Sequence, residues 1–152
     1  MIKSVREVFS ELEQKGVISV GSTLGCNEDE ILAVERHFNC TLPLAYREFL
    51  VIVGRSAGKL FCGTDIFYPR VLQLQSEAKE LLIELGAPDL LPNNAKVFCM
   101  HQGYEINYFL PVSDDPPVFQ YFEGQSEVSQ PWESFSEFLR LSVEGGVHSG
   151  QI

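Results

Sequence analysis

Cys99 and His101 are the residues whose types and spacing come nearest to a metal site, or to a nucleophile with its base. They are two apart on a predicted strand, so both side chains face the same side of it. With Cys62 they would offer three zinc ligands, but a closed structural site needs four, and no fourth is spaced near them. A reactive thiolate needs an electropositive pocket, which this acidic segment does not favour. We therefore predict a packed core cysteine, with no bound metal and no cofactor.

Asp114 and Asp115 are the next candidates for chemistry, as a general acid and base. Because they are adjacent, their side chains diverge and do not form such a pair, and the following Pro116-Pro117 predicts a stiff exposed loop. They are either solvated turn acids or a rim that meets a cationic partner. No set of nucleophile, base and orienting group is visible elsewhere, so we predict no enzyme activity and no catalytic residue.

Aromatic residues concentrate in the predicted strand region. Alternation along one strand puts Phe119 and Tyr121 on one face, with Gln120 and Phe122 on the other. Both faces cannot be equally buried unless helices or a partner cover the second. The aromatics are therefore either a core layer or a partly exposed patch that anchors a basic protein. In the second interpretation, three carboxylates surround the patch: Glu105, Glu123 and Glu127.

The net charge of −10 is unevenly distributed along the chain. From Val97 onward there are eight acidic residues and a single base, Arg140. This acidic C-terminal segment repels nucleic-acid phosphates and anionic membranes, so neither is an expected partner. It would steer a basic partner towards itself, or it would serve solubility alone.

Length and composition point to one domain in the cytoplasm. A chain of 152 residues with 45% hydrophobic content can bury a core, and its apolar runs are too short to span a membrane. The N-terminus lacks the apolar segment of a signal peptide. The four cysteines are widely spaced without a CxxC, which is typical of reduced cytosolic thiols. We predict a domain over residues 1–146 and a flexible tail over 147–152.

The stretch from Gly25 to Gly54 carries the strongest local signals, and it predicts two amphipathic helices. Asn27 and Glu30 have the spacing of a capping box, and Pro43 suits the first turn of a second helix. Gly54 is a natural stop for that helix. The apolar stripes of the two helices are Ile31, Val34 and Phe38, then Tyr46, Phe49, Leu50 and Val53.

The rest of the chain predicts an α+β fold with N-terminal helices, a mostly antiparallel twisted sheet and a closing C-terminal helix. Capping boxes begin helices after Ser4 and Ser134, the second ending at Gly145 and Gly146. A further helix is expected over 76–85. The expected strand segments are 60–62, 66–68, a hairpin of 97–101 with 105–110, then 118–122 and 127–130.

These motifs resemble the SUKH superfamily, which includes fungal cell-wall synthesis regulators and many bacterial immunity proteins. Its N-terminal signature is a helix containing a glutamate, here residues 31–35, then a Leu-Pro step at 42–43 and a helix with tyrosine and phenylalanine at 46–50. Its C-terminal signature corresponds to Trp132 and the Ser-Phe-x-x-Phe-Leu run at 134–139. The resemblance spans residues 25–141. It departs slightly after Gly54, where residues 55–58 are close to the usual pattern without matching it.

The resemblance implies a protein-binding domain, most concretely an immunity protein that neutralises a cognate toxin, often a nuclease. The mechanism would be occlusion, in which an acidic surface docks on the basic face of the toxin. The alternative is a regulatory or scaffold module in a pathway such as cell-wall synthesis, although those relatives carry long flanking segments. The candidate contact residues are Glu105, Asp114, Asp115, Tyr121, Glu123 and Glu127.

Overall fold

The computed structural model describes residues 4–144, apart from the side chains of residues 20 and 144. The predicted tail at 147–152 and the predicted stop at Gly145 and Gly146 lie outside this range. The helices are α1 (Val5–Gln14), α2 (Glu28–Phe38), α3 (Leu44–Val53), α4 (Val71–Glu84) and α5 (Phe135–Glu144). The strands are β1 (Thr23–Leu24), β2 (Ser56–Ala57), β3 (Thr64–Asp65), β4 (Lys96–His101), β5 (Glu105–Phe109), β6 (Val118–Phe122) and β7 (Ser129–Trp132).

Capping boxes begin α1 and α2, as the sequence predicts. The Ser4 side chain accepts from the backbone N–H of Glu7, whose carboxylate accepts from the backbone of Ser4. Asn27 and Glu30 form the same reciprocal pair at 2.9 Å in both directions. Each box satisfies amides that have no partner within the helix, so each fixes a helix start locally.

The large sheet is antiparallel throughout, in the order β3-β4-β5-β6-β7, and β1 pairs with β2 separately. The register sets Cys99 opposite Asn107, and Asn107 opposite Gln120. A single core joins the helices to the sheet, and Tyr46 of α3 lies at its centre. The Tyr46 ring packs 5.3 Å from Phe109 and 5.5 Å from Phe135, centroid to centroid. The predicted α+β class is confirmed.

The segment from 58 to 63 forms turns, so the strand predicted at 60–62 is wrong. Phe61 has a left-handed φ of 61°, and its carbonyl accepts from the Thr64 N–H to close a turn. The Phe61 ring packs against Phe49 and Phe67 in the core. The apolar residue types here indicated that side chains are buried. They did not indicate that the backbone reverses direction. The strand predicted at 66–68 is wrong as well, because only Thr64–Asp65, between the two predicted segments, pairs with the sheet.

Helix α4 begins at Val71, five residues before the predicted start, and this places Gln75 beside β4. The Gln75 Oε1 accepts from the Val97 N–H at 2.9 Å, and its Nε2 donates to the Ala95 carbonyl at 2.9 Å. Strand β3 pairs with β4 only near His101, so this carboxamide bonds the part of the β4 edge that β3 does not reach. Residues 72–75 alternate apolar and polar side chains as a strand would, but the contact of Gln75 with β4 favours the helix.

Candidate functional site

The structure divides the predicted contact residues between the two ends of the large sheet. We define the hairpin end as the β4–β5 turn, residues 102–104, together with Glu105 and the β6–β7 connection, residues 123–128. The backbone N–H of Glu123 donates to the Tyr104 carbonyl at 2.9 Å, which ties the two turns together. Glu123 and Glu127 are exposed there and Glu105 is half-buried, so the fold brings these three carboxylates to one end.

Asp114 and Asp115 lie at the opposite end, in the loop between β5 and β6. That loop is about 13 Å from Glu105 along the strand, at about 3.3 Å per residue over the length of β5. Asp115 Oδ1 accepts from the Ser136 N–H at 2.9 Å, so this carboxylate serves the start of α5. The six predicted residues therefore do not form one continuous patch.

Tyr121 is 3% exposed and pairs with Ile106 across β5 and β6. A side chain so deeply buried offers little area to a partner. Tyr104 provides the exposed tyrosine at this end instead, with 39% of its surface accessible. Its ring stacks on Phe122 at 6.4 Å and meets the His101 ring edge-on at 6.0 Å, so it is held in place by neighbours.

A pocket of about 370 Å³ opens between the sheet and α5, next to the hairpin end. We call it the sheet–α5 pocket. Its size is at the lower end of the range for ligand-binding cavities, roughly 300–1,000 Å³. Strand residues contribute most of its polar groups, and the turn before β3, β7 and α5 contribute most of its aromatic surface. The residues around it are Phe61, Thr64, Cys99, His101, Tyr104, Glu105, Gln120, Trp132, Phe138 and Ser142.

A hydrogen-bonded relay of three side chains forms part of the polar wall of this pocket: Glu105 and Gln120 line it, and Asn107 connects them. Asn107 is completely buried; its Nδ2 donates to Glu105 Oε2 at 2.8 Å, and its Oδ1 accepts from Gln120 Nε2 at 3.2 Å. An ionised carboxylate can only accept hydrogen bonds, so it fixes the amide orientation of Asn107 and then that of Gln120. The relay therefore leaves Gln120 Oε1 and the remaining lone pairs of Glu105 as acceptors.

Cys99 and His101 both line the pocket, as expected for residues two apart on one strand. His101 Nδ1 is hydrogen-bonded to Thr64 Oγ1 at 2.8 Å. Burial, and after it the negative charge of Glu105, raise the pKa of Cys99 well above its usual value, which keeps the thiol protonated. Cys62 is exposed, and the four cysteines are free. Within residues 4–144, no group of three or more side chains is arranged to hold a metal ion.

Aromatic rings form the other walls of the pocket. Trp132 of β7 packs edge-on against Phe138 of α5, with ring centroids 4.9 Å apart. Tyr104 lies at the pocket margin and belongs also to the hairpin end. The arrangement can therefore hold a flat, hydrogen-bond-donating group between aromatic surfaces and acceptor oxygens.

Sequence reasoning missed Asn107, Gln120 and Thr64 as members of a site. A polar residue in the middle of a strand was the available signal, because Asn107 lies between Ile106 and Tyr108 with apolar neighbours on both sides. An uncharged amide in such a place needs a specific partner. Its partner Gln120 is thirteen positions away, and strand register alone brings them together.

No helix between residues 4 and 144 is both long enough and apolar enough to cross a bilayer.

Comparison with known families matches residues 25–141 to the SMI1 / KNR4 family (SUKH-1). A search of curated proteins finds no significant match to this chain. The matched segment begins just before α2 and ends within α5, so it contains the helix pair, the large sheet and all of the pocket lining except Ser142. Because this match covers well over half of the 152 residues, the chain belongs to the SMI1/KNR4 family (SUKH-1).

Proposed function

We propose that this chain is a non-catalytic protein-binding domain, an immunity protein that neutralises a cognate bacterial toxin by covering its basic face. The observation that carries the proposal is the charge at the hairpin end, where Glu105, Glu123 and Glu127 lie at the same end of the sheet as the exposed Tyr104. No lysine or arginine occurs in the sequence from residue 97 to residue 139. The SUKH superfamily includes toxin-immunity proteins, and an acidic docking surface suits that role.

Electrostatic steering gives this arrangement a mechanism. A surface lined by charges of one sign raises the rate of association with an oppositely charged partner. This effect weakens as added salt screens the charges. Aromatic side chains such as Tyr104 supply the desolvated contact area that surface charges alone do not. Neutralisation then requires only that the bound domain block access of substrate to the toxin, with no bond made or broken.

The size of the domain is sufficient for this task. A standard interface buries about 800 Å² on each partner. The chain exposes 8008 Å² in all, so such an interface would use roughly a tenth of the surface. The two turns of the hairpin end and the pocket beside them form a continuous area on which a partner of this kind could dock.

A regulatory or scaffold role in a cellular pathway is the second candidate, because the matched family also includes cell-wall regulators. The two roles differ in what lies beside the gene. A toxin gene immediately upstream favours immunity, whereas its absence together with recovery of a cellular pathway protein favours regulation. Both roles use protein binding, so the surface argument applies to either.

The decisive experiment is protection of cells against the toxin encoded next to this chain. We expect expression of the chain to rescue growth, and we expect the purified pair to bind more weakly as salt increases. Charge reversal by Glu123→Lys with Glu127→Lys should weaken binding at least tenfold. Charge reversal on α4 by Glu80→Lys with Glu84→Lys is the matched control, since both residues are exposed and lie away from the hairpin end.

Equal weakening by the two double variants would show that only net charge matters, and it would count against docking at the hairpin end. Failure to protect cells, with no binding of the neighbouring toxin, would overturn the immunity role itself.

A further inference from the structure

We propose that the sheet–α5 pocket receives the guanidinium group of an arginine side chain from the partner protein. This inference rests on the proposed function in one respect, namely that the partner is a basic protein. It goes further by naming the side chain that enters and the groups that recognise it. Three features of the pocket carry it: the kind of polar atoms it presents, its unpaired negative charge, and its aromatic walls.

The relay presents acceptor atoms to the pocket, because its hydrogen bonds have only one possible direction. Glu105 accepts from Asn107, Asn107 then accepts from Gln120, and Gln120 is left with a free carbonyl oxygen. A ligand that bonds both Gln120 Oε1 and the Glu105 carboxylate must therefore be a donor at two or more points. Guanidinium has five N–H donors in a planar fork and no acceptor, which matches this demand.

The negative charge of Glu105 has no counterion in the described part of the chain. No ion pair formed within residues 4–144 involves this carboxylate. The residues around the pocket include no lysine or arginine. A half-buried carboxylate without a cation interacts more strongly with an incoming positive charge than a fully solvated one, because screening is weaker there.

The aromatic walls favour arginine over lysine. Trp132 and Tyr104 both line the pocket, and a guanidinium plane stacks on aromatic faces while its edge donates hydrogen bonds. A lysine ammonium is a compact, strongly hydrated charge that gains less from such surfaces. The Trp132 ring is held by Phe138 and is half-exposed, so it is both oriented and accessible.

The position of the pocket links it to the docking surface. Tyr104 and Glu105 belong both to the hairpin end and to the pocket wall. Because these two residues are shared, an arginine that projects from a protein seated on the hairpin end would lie next to the pocket. The arginine would then be a central anchor of the interface, surrounded by an acidic rim. A few central residues usually carry most of the binding energy of an interface.

The test uses the intrinsic fluorescence of Trp132, which is the only tryptophan in the chain. The probe is N-acetyl-arginine amide, and the matched control ligand is N-acetyl-citrulline amide, which has nearly the same shape without the charge. We expect the Trp132 fluorescence to change saturably as the arginine probe is added. The citrulline analogue should bind at least tenfold more weakly. N-acetyl-lysine amide should bind more weakly than the arginine probe.

Protein variants then assign the recognition to named groups. Glu105→Gln should weaken binding of the arginine probe at least tenfold, although the new side chain keeps an oxygen that can accept from Asn107. Glu133→Gln removes one charge next to Trp132 but does not line the pocket, so it should change binding less than twofold. Tyr104→Leu removes an exposed ring that takes no part in the relay. It should weaken binding of the arginine probe about two- to fivefold.

Several outcomes would overturn the inference. No fluorescence change with the arginine probe at tens of millimolar would do so, as would equal binding of arginine and citrulline analogues. Equal binding of the lysine analogue would show a simple charge site. Free arginine binding more than tenfold tighter than the blocked form would indicate a small-molecule site.

Failure of this inference is distinguishable from failure of the proposed function. A chain that protects cells but does not bind the arginine probe keeps the immunity role and loses the arginine pocket. A chain that binds the probe through Glu105 but protects no cell keeps the pocket and loses the immunity role.

Discussion

The carboxylate of Asp115 accepts a hydrogen bond from the backbone N–H of Ser136, with 2.9 Å between oxygen and nitrogen. Ser136 is the second residue of α5, so the bond satisfies an amide that has no acceptor within the helix. It also places negative charge at the positive end of the helix dipole. The neighbouring Asp114 instead exposes its side chain, and only its backbone carbonyl is used, by the Ala45 N–H at 2.9 Å.

We expect Asp115→Ala to lower the free energy of unfolding by about 1 kcal/mol, the usual cost of losing a side-chain cap. Asp114→Ala is the matched control and should change it by less than about 0.5 kcal/mol, because no side-chain bond is lost. Urea titration of both variants measures the difference. Similar losses in the two variants would contradict the capping role of Asp115.

Gly25 is required by a close approach between the chain before α2 and the end of α3. A Cβ added at Gly25 would lie 1.8 Å from the Val51 carbonyl oxygen. The adjacent Cys26 N–H donates to the Leu50 carbonyl at 2.8 Å, which holds the two segments together. Any side chain at position 25 therefore forces these backbones apart.

We expect Gly25→Ala to destabilise the fold by about 2–3 kcal/mol, through the clash and the weakened bond to Leu50. A Cβ at Gly21 meets no atom within 4 Å, so Gly21→Ala serves as the control and should be neutral or slightly stabilising. Thermal unfolding of the two variants makes the comparison. A stable Gly25→Ala protein would show that this approach is looser than described.

His37, in the last turn of α2, should make the stability depend on pH. Burial, and after it the positive charge of Lys96, lower the pKa of His37 below its usual 6.5. The folded state therefore favours the neutral ring, while the unfolded chain takes up a proton as pH falls through about 6.5. This contribution is fully present above that pH and is lost as the pH falls through the lower pKa of the folded state.

The measurement is the free energy of unfolding at pH 7.5 and at pH 5.5, in the natural chain and in His37→Leu. We expect a smaller fall in the variant, because its position 37 no longer titrates. A fall as large as that of the natural chain would assign the pH dependence to other groups.

Sequence alone was sufficient where a structure depends on neighbours three or four residues apart. The capping boxes at Ser4 and Asn27 were predicted and are present, because each involves a residue three positions further on. The α2–α3 pair and the β4–β5 hairpin were predicted for the same reason, from stripes, a proline step and a glycine turn. The strand expected at 60–62 was wrong, since apolar types reported burial and carried no information about the turn at Phe61.

The tertiary structure alone decided which residues meet. It separated Asp114 from Glu105 by the length of a strand, and it buried Tyr121 in the core. Thr64 reaches His101 across 37 positions of sequence, a contact that only strand pairing creates. The chemical type of each side chain is known from the sequence. Its contact partners depend on sheet register and helix packing, which join residues far apart in the sequence. For that reason, only the folded chain brings the acceptor oxygens of the pocket together. Glu105 orients them through its hydrogen bond with Asn107.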